Sequence, residues 1–460
     1  MRTSVIALCL LCCGTAAAQT AQEEIKANRY LSGSNYLDYD RYLPTTPLTA
    51  APKDYEPFYM SHYGRHGSRW LISEGDYTSP LNTMRDADAA GKLTPEGKAV
   101  LQKLEAFYPT TIKRLGELTT VGERQHHGIG SRMAKNFPEI FKAKNVPIDA
   151  RSTVVIRCIL SMEAECEELA AANPTARIHN DVSESFQYYL NQPWEGEVRK
   201  KGRSASKLRN EYNKKLTNPE RLMKVLFNDQ QYVYDEIRAG ALMRQLFEVA
   251  ANMQSHDTDI ELYSLFTDDE VYNQWKQRNI GWYLDYGPAP QTGSVMPFSQ
   301  LNLLKNIIET TDTIVPLSVG GDLQSVGGDL QSVGGDLQSV GGDLQSPTAK
   351  TPQATLRFGH EVCVMPLACL LELGQCGARV ENLDTLDNVW RNYRIFPMAC
   401  NVQLIFYRPK KGKEGDILVK ALLNEREVTM PGQPVTGPYY RWADVRQYYL
   451  GKIHKFENAD

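Results

Sequence analysis

Two arginines lie on either side of one histidine in the stretch YMSHYGRHGSRW, residues 59–70. Arginine binds phosphate through paired N–H groups, and a neutral imidazole held between such groups is placed to attack phosphorus. The guanidinium groups of Arg65 and Arg69 would also stabilise the charge that spreads over the equatorial oxygens in phosphoryl transfer. These residue types indicate a covalent phosphohistidine at His66, with an ordinary solvated loop as the alternative.

Two later segments supply a further cation, a second histidine and an acid. In RSTVVIRCILS a short strand leads into a helix, so Arg157 and Ser161, four residues apart, share one helical face. In ATLRFGHEVCVMPLACLLELG this arrangement repeats, with His360 and Glu361 at the helix entrance. The carboxyl group of Glu361 either complements the dipole of this helix or donates a proton to a leaving alcohol.

The first motif is predicted to follow a strand. Residues 58–63 read as the strand, 65–68 leave its carboxyl end, and Arg69 falls in the first turn of the element that follows. The carboxyl edge of an open α/β sheet is where ligands bind, and a helix amino terminus there adds N–H donors suited to a tetrahedral anion. We therefore expect a phosphate site at this edge.

Strand and helix patterns are distributed unevenly along the chain. Segments typical of strands lie towards both ends, in YEPFYMSHY, VPIDARSTVVI, ATLRFG, MACNVQLIFYR and DILVKALLN. The region 175–308 reads as mostly helical, as in NPERLMKVLFND and DEIRAGALMRQLFEVAANMQ. We predict an α/β sandwich formed by residues 19–174 and 309–460, with a helical insert domain at 175–308.

Composition excludes some classes of function. With 42% hydrophobic and 23% charged residues the chain is typical of a globular protein, and its 460 residues suffice for one large domain or two. The net charge of −4 is too small to indicate nucleic acid or a membrane surface as a partner. No span reads as a transmembrane helix.

The amino terminus has the pattern of a secretory signal. Arg2 precedes the apolar run SVIALCLLCCGTAAA and a small-residue cleavage pattern, which predicts a signal peptide at residues 1–18 and a secreted or periplasmic protein. Cys9, Cys12 and Cys13 lie inside it. None of them follows the small residue that lipoprotein cleavage prefers, so lipid anchoring is the less favoured alternative.

Two features of the remaining chain do not indicate chemistry. The heptad VGGDLQS occurs four times at residues 318–346, and its paired glycines and sparse apolar side chains predict a flexible surface loop. The cysteines beyond the signal are even in number, so they form disulfides or pack as small apolar residues. They are Cys158, Cys166, Cys363, Cys369, Cys376 and Cys400.

Three motifs in this order carry a family resemblance: YGRHGSR, RSTVVIRCILS and LRFGHE. With LTTVGERQHHGIGSRMAKNFP, residues 118–138, they resemble the histidine acid phosphatases, a branch of the histidine phosphatase superfamily that includes phytases and multiple inositol polyphosphate phosphatases. The resemblance implies a three-layer sandwich around a mostly parallel sheet, similar to that of phosphoglycerate mutases. It also implies a small phosphate ester as substrate and neither metal nor cofactor.

Carried over to these positions, the resemblance makes His66 the nucleophile and Glu361 the general acid. The family commonly has His-Asp at the last site, and the inositol polyphosphate phosphatases have His-Ala-Glu. Here Glu361 follows the histidine directly and Val362 takes the place of the later Glu, so the subfamily and the identity of the acid stay open. The implied phosphate ligands are Arg65, Arg69, Arg157 and His360.

Several functions fit these motifs. Mutases with the same triplet are usually cytoplasmic and lack the second arginine, whereas this chain has Arg69 and a predicted signal. A secreted binding protein of the same fold without activity is disfavoured by the intact arginines and histidines. We predict a secreted phosphomonoesterase for phytate or other inositol polyphosphates, with a general acid phosphatase of broad specificity as the alternative.

A basic run, RKKGRSASKLRNEYNKK at residues 199–215, lies in the predicted insert. It is either a solvated face or a border of the cleft that attracts a multiply phosphorylated substrate. The residues considered for substrate specificity are Lys200, Lys201, Arg203 and Lys207. His126 and His127 lie in a predicted helix, where neighbouring side chains point about 100° apart, so a shared metal site is not expected.

Overall fold

The computed structural model describes residues 19–43, 46–191, 196–315 and 351–459. The predicted signal peptide at 1–18 and the repeat array at 318–346 lie outside these residues. Within the described ranges, no helix is both long and apolar enough to span a membrane.

A mixed central sheet organises the fold. The strands of the described chain are β1 (Tyr55–Arg65), β2 (Pro147–Ser152), β3 (Arg177–Val182), β4 (Ala354–Gly359), β5 (Asn401–Pro409), β6 (Leu418–Leu423), β7 (Arg426–Val428) and β8 (Tyr440–Arg441). Their order is β3-β2-β4-β1-β5-β6-β7, and β8 pairs with β6. Strands β3, β2, β4 and β1 are parallel, and the strands from β5 onwards pair antiparallel.

Helices cover both faces of this sheet. The α-helices of the described chain are α1 (Ala21–Ala27), α2 (Glu74–Ala89), α3 (Pro95–Phe107), α4 (Thr120–Asn136), α5 (Pro138–Phe141), α6 (Ile156–Ala172), α7 (Gln187–Leu190), α8 (Gly196–Ser204), α9 (Ser206–Leu216), α10 (Glu220–Leu226), α11 (Gln230–Glu236), α12 (Ala239–Asn252), α13 (Asp268–Tyr286), α14 (Leu301–Ile314), α15 (Glu361–Leu370) and α16 (Trp442–Glu457). Helices α4, α5 and α6 pack with Met60 and Phe358 of the sheet, whereas α15 and α16 pack with Tyr63 and Phe406. The predicted three-layer α/β sandwich is confirmed.

A second group of helices has its own apolar core. Helices α2 and α3 pack with α10, α12 and α13 around buried residues that include Leu101, Leu246 and Trp275. Residues 177–182, which we predicted to open the helical insert, instead form β3 and pair with β2 in the sheet. The division of the chain into a sandwich and an insert at 175–308 stays a prediction.

The structure distinguishes between disulfide bonds and apolar packing for the cysteines. Every cysteine in the described part of the chain is free and buried. In this structure they pack as small apolar residues, and burial raises the pKa of the Cys158 thiol to about 12.

The register of the parallel strands brings their carboxyl ends together. Arg65 of β1 lies opposite Gly359 of β4, and Ser152 of β2 lies opposite Phe358. Because the three strands run in the same direction, the residues that follow them emerge at one edge of the sheet. His66 and His360 are therefore the next residues out of neighbouring strands.

His62 is a histidine buried at the centre of the sheet. Its ring centre lies 5.3 Å from that of Phe358, and neither ring nitrogen has a hydrogen-bond partner among the residues described. Burial lowers its pKa from 6.5 to about 3. Between these two values the unfolded chain binds a proton that the folded chain does not, so stability falls as the pH falls.

We expect the substitution His62→Phe to stabilise the protein increasingly towards low pH. The gain should grow by about 1.4 kcal/mol for each pH unit below the unfolded pKa, because a phenyl ring fills the site without titrating. Urea unfolding of parent and variant at pH values of about 8, 6 and 4.5 measures this difference. A difference in unfolding free energy between parent and variant that stays constant across this pH range would contradict a lowered pKa of His62 in the folded protein.

Candidate active site

A close backbone contact holds the segment that follows β1. A Cβ atom on Gly67 would lie 2.3 Å from the carbonyl oxygen of Gly122, and a Cβ atom on Gly122 would lie 2.3 Å from that of Ser68. Glycine at both positions lets the loop meet the first turn of α4. Thr119, the N-cap of α4, donates its hydroxyl to the Ser68 carbonyl at 3.1 Å. These contacts fix the loop that carries His66.

Arg69 was predicted to fall in the first turn of the element that follows the loop, and it lies outside any helix. It forms an isolated β-bridge with Leu118, and α2 begins only at Glu74. The helix amino termini at the site are those of α6, which carries Arg157 in its first turn, and of α15, which begins at Glu361. Their dipoles place partial positive charge at the carboxyl edge of the sheet.

Side chains of α4 and α6 bind the backbone of the loop. The N–H of Gly67 donates to Ser161 Oγ at 3.1 Å, and that hydroxyl donates to the Arg157 carbonyl at 2.8 Å. The N–H of Ser68 donates to Gln125 Oε1 at 2.9 Å. Ser161, predicted only to share a face with Arg157, therefore positions the loop.

His66 presents one free ring nitrogen. Its Nδ1 lies 2.8 Å from the Gly67 carbonyl, which only accepts, so Nδ1 carries the proton and Nε2 the lone pair. The side chain is fully buried, and Nε2 has no hydrogen-bond partner among the described residues. Burial, reinforced by Arg157 and Arg65, holds the pKa of His66 well below 6.5. The imidazole is therefore neutral even at mildly acidic pH.

Arg65 and Glu361 form an ion pair beside this nitrogen. The Nε atom of Arg65 lies 3.0 Å from Glu361 Oε2, which lies 3.7 Å from His66 Nε2. Arg65 is fully buried and donates through Nη1 to the carbonyls of Asn35 and Pro397, at 2.6 and 3.2 Å. Its guanidinium group is thus held beside the His66 imidazole.

The charge of Glu361 depends on the neighbouring cations. Burial raises its pKa, but Arg65 and Arg69 outweigh this and bring the pKa down to about 2. The carboxylate is therefore anionic at ordinary pH. A general acid must hold a proton, so Glu361 can take that role only when another anion offsets these arginines.

Arg69 and Arg157 complete a cationic wall. The guanidinium carbon of Arg69 lies 5.6 Å from the ring centre of Tyr36, and Nη1 donates to the Trp70 carbonyl at 2.9 Å. Arg157 is half-buried and donates through Nη1 to the Gly116 carbonyl at 3.2 Å. In each, the buried Nε–H has no hydrogen-bond partner among the residues described. Both side chains keep donors for an anion.

His360 lies beside His66. Its ring centre is 5.7 Å from that of His66, and each of its ring nitrogens is 3.9 Å from Cys158 Sγ. Burial lowers the pKa of His360 to about 4, although the Glu361 carboxylate opposes this. A neutral His360 can donate one N–H to a phosphate oxygen.

The cluster could also be considered as a cation site. Ligand atoms of His66, His360 and Glu361 lie within 4.8 Å of one another. The guanidinium groups beside them, however, would repel a metal ion and attract an anion. The side chains as arranged fit a phosphate better than a metal. The residues that meet here are those predicted from sequence: Arg65, His66, Arg69, Arg157, His360 and Glu361.

A histidine that the sequence did not assign to the site contacts the backbone next to His66. His126 of α4 is fully buried, and its Nε2 donates to the Arg65 carbonyl at 3.1 Å. Its Nδ1 lies 3.0 Å from Oε2 of Glu165 on α6, which is also fully buried. Its neighbour His127 is half-buried and contacts Glu168 at 3.1 Å. Helical spacing predicts that one of these histidines is buried, but the partnership with Glu165 depends on how two helices pack.

We expect His126→Phe to destabilise the protein by about 3 kcal/mol or more, because it leaves the Glu165 carboxylate and the Arg65 carbonyl buried without partners. Glu165→Gln, which can still hydrogen-bond His126, should cost less. His127→Phe is the matched control and should change stability by less than about 0.5 kcal/mol. Urea unfolding at neutral pH measures all three, and equal effects of the two histidine variants would contradict the assignment.

Two residues of the basic run line a cavity. It has a volume of about 550 Å³, lies between helices α9, α12 and α13, and its lining includes Arg209 and Asn213 of the run. Lys200, Lys201 and Lys207 are not among its described lining residues. The Arg203 side chain lies outside the described residues, and a role for these four residues in substrate specificity stays a prediction.

Comparisons with known proteins identify the fold. No model of a known protein family matches the sequence, and no curated protein matches it. Solved structures do match, and they are of the histidine acid phosphatase fold. The chain therefore has the fold that its motifs implied.

Three of these structures illustrate the likeness. A multiple inositol polyphosphate phosphatase from Bifidobacterium longum, in complex with inositol hexasulfate, has a TM-score of 0.68 and 17% identity, covering 92% of this chain and 98% of that one. A phytase from D. castellii has a TM-score of 0.63 and 12% identity, covering 92% and 85%. A Hafnia alvei phytase has a TM-score of 0.52 and 11% identity, covering 88% and 98%.

Proposed function

We propose that this protein is a phosphomonoesterase that works through a phosphohistidine at His66. The observation that carries the proposal is the free Nε2 lone pair of a neutral, fully buried imidazole beside Arg65 and the half-buried Arg157. A phosphate monoester held by the guanidinium groups presents its phosphorus to this nitrogen. Preorganised cations then stabilise the charge on the equatorial oxygens as the reaction proceeds.

The reaction takes two balanced steps. In the first, the Nε2 lone pair forms a P–N bond, the P–O bond to the alcohol breaks, and the leaving oxygen takes a proton from Glu361. In the second, water attacks phosphorus and gives a proton to the Glu361 carboxylate, the P–N bond breaks, and Nε2 recovers its lone pair. His66 thus ends as it began.

Substrate binding enables Glu361 to take up the proton that a general acid needs. Arg65 and Arg69 hold the pKa of this carboxyl group at about 2, against the effect of burial. A bound phosphate brings negative charge to the same arginines, which weakens their hold and raises the pKa. Glu361 therefore becomes protonated in the substrate complex at acidic pH. Turnover of alkyl esters should fall as the pH rises through the pKa that Glu361 has in this complex.

The substrate class that we propose is the inositol polyphosphates, phytate included. Similarity to structures described as phytases and as a multiple inositol polyphosphate phosphatase supports this choice. The catalytic arginines alone suit any monoester, so a general acid phosphatase is the alternative.

Hydrolysis assays on the purified protein test both parts of the proposal. Phosphate release from p-nitrophenyl phosphate tests phosphomonoesterase activity, and its absence would favour a binding protein that lacks the chemistry. A kcat/KM for phytate well above that for simple monoesters would support the polyphosphate substrate. Equal values would support the general acid phosphatase.

We also propose that the protein is exported. The support is the signal-like pattern of residues 1–18, which precedes the first described helix. Amino-terminal sequencing of the protein recovered from cells should begin near residue 19. Recovery of the intact amino terminus from the cytoplasm would contradict export.

A further inference from the structure

The peptide bond between Arg65 and His66 is held from both of its edges. Its carbonyl oxygen accepts from Nε2 of His126 on α4 at 3.1 Å, and its N–H donates to the Gly359 carbonyl of β4 at 3.0 Å. The Gly359 partner is backbone, so that contact does not depend on a side chain. His126 is therefore the partner in this arrangement that a substitution can remove.

Two hydrogen bonds fix the ring of His126. A carbonyl oxygen only accepts, so the contact with Arg65 requires a proton on Nε2. The Nδ1 atom faces Oε2 of Glu165 at 3.0 Å, a contact that needs one further proton between the nitrogen and the oxygen. The carboxyl group of Glu165 therefore sets both the orientation of the imidazole and the ring nitrogen that donates to Arg65.

Little else compensates the charge of this pair. Both side chains are fully buried, and Oε1 of Glu165 has no hydrogen-bond partner in the described part of the chain. Arg132 and Glu425, which also act on Glu165, pair with each other at 2.8 Å. Burial raises the pKa of Glu165, which favours keeping the shared proton. With that proton, the His126–Glu165 pair is neutral overall.

The close approach of α4 and α6 makes this pair possible. A Cβ atom on Gly130, one turn after His126, would lie 2.6 Å from the Glu165 carbonyl oxygen. Glycine at this position lets the two helices meet, so that a carboxyl group on α6 reaches a ring nitrogen on α4. A second pair, His127 and Glu168, joins the same helices at 3.1 Å but is half-buried. It provides a matched control for the first.

We propose that His126 is a positioning residue for the nucleophile and that Glu165 sets its ring for this role. The hydrogen bond from His126 holds the carbonyl that precedes His66, and so fixes the direction in which the imidazole leaves β1. A misplacement of about 1 Å at a reacting atom can cost about a hundredfold in rate. The inference deepens the proposed function and rests on it.

Steady-state kinetics on p-nitrophenyl phosphate, with inorganic phosphate as inhibitor, test the proposal. Glu165→Met leaves Nδ1 of His126 without its partner and should lower kcat by about thirtyfold or more. The inhibition constant of phosphate should stay within about threefold, because the arginines of the cluster are unchanged. Glu165→Gln can donate from its amide to Nδ1 and keep the proton on Nε2, so its kcat should stay within about threefold of the parent.

Glu168→Met makes the matched change in the second pair and should leave kcat within about twofold of the parent. Circular dichroism and urea unfolding establish that each variant is folded under the assay conditions. A folded Glu165→Met protein with the kcat of the parent overturns the proposal. Equal losses of kcat in Glu165→Met and Glu165→Gln would do so as well, because a packing role does not depend on which ring nitrogen donates.

Nitrogen NMR of the wild type with labelled histidine tests the same arrangement without relying on a variant's stability. The His126 ring, identified by its shift in Glu165→Gln, should carry a proton on Nε2 throughout the pH range of the kinetic assays. An Nε2 without a proton in this range would overturn the proposal. Failure of the wild type to hydrolyse p-nitrophenyl phosphate would instead contradict the proposed function itself.

Discussion

Replacement of His66 by alanine is expected to reduce kcat for p-nitrophenyl phosphate by about a thousandfold or more, because it removes the unpartnered Nε2 lone pair that we propose as the nucleophile. The loss should be equally deep for alkyl phosphates, since both leaving groups depend on the same P–N bond. Removing the imidazole leaves the arginines in place, so phosphate should still inhibit the variant's residual activity or bind it in calorimetry.

His62→Phe serves as the control for this experiment. It changes another buried histidine, on the strand that precedes His66, whose ring nitrogens have no hydrogen-bond partner among the described residues, so its activity should stay within about twofold of the parent. Circular dichroism and urea unfolding should show that His66→Ala remains folded. Substantial turnover by a folded His66→Ala protein would contradict the assignment of the nucleophile.

Replacement of Glu361 by glutamine is the second large effect that we expect. Turnover of an alkyl phosphate should fall by about a hundredfold or more, because an alkoxide leaves poorly without a proton. Turnover of p-nitrophenyl phosphate should fall far less, because its leaving group is stable as an anion. The ratio of the two rates, measured across acidic and neutral pH, reports the role of this carboxyl group directly.

Glu361 also pairs with Arg65, so a structural effect has to be separated from an acid effect. A lost structural contact would slow both substrates alike and would change KM as well as kcat. Loss of a general acid leaves the aryl ester fast and removes the fall of the alkyl rate at higher pH. Equal losses on both substrates would contradict the acid assignment.

The catalytic cluster could be predicted from sequence because its members follow strand ends. The Arg-His-Gly motif, Arg157 and the His360-Glu361 pair each lie just beyond a segment with strand periodicity, and parallel strands bring such residues to one edge. The structure explains why the motif has glycine at position 67: the backbone there closely contacts Gly122.

Other features depend on tertiary packing and could not be predicted in this way. Strand β3 is short and none of its residues is buried, so it lacks the apolar alternation of a buried strand. The His126–Glu165 pair joins two helices that are far apart in sequence. The cavity draws charged residues from four helices, α2, α9, α12 and α13, so the basic run at 199–215 was a poor guide to which cations line it.

The pKa of Glu361 shows a further limit of sequence reasoning. A carboxyl group after a histidine at a helix start suggests an acid, yet its protonation is decided by Arg65 and Arg69, which are remote in sequence. Only the assembled site shows that these arginines keep the pKa of the Glu361 carboxyl group low.

Direct detection of a phosphorylated His66 tests the central claim most directly. The protein would be mixed rapidly with p-nitrophenyl phosphate and quenched at alkaline pH, where a phosphorus–nitrogen bond survives, and its peptides would be analysed by mass spectrometry. We predict one phosphoryl group on the peptide that contains His66, present during turnover and absent from His66→Ala. Steady hydrolysis by the wild type, with no phosphoryl group on that peptide at any quench time, would contradict the account.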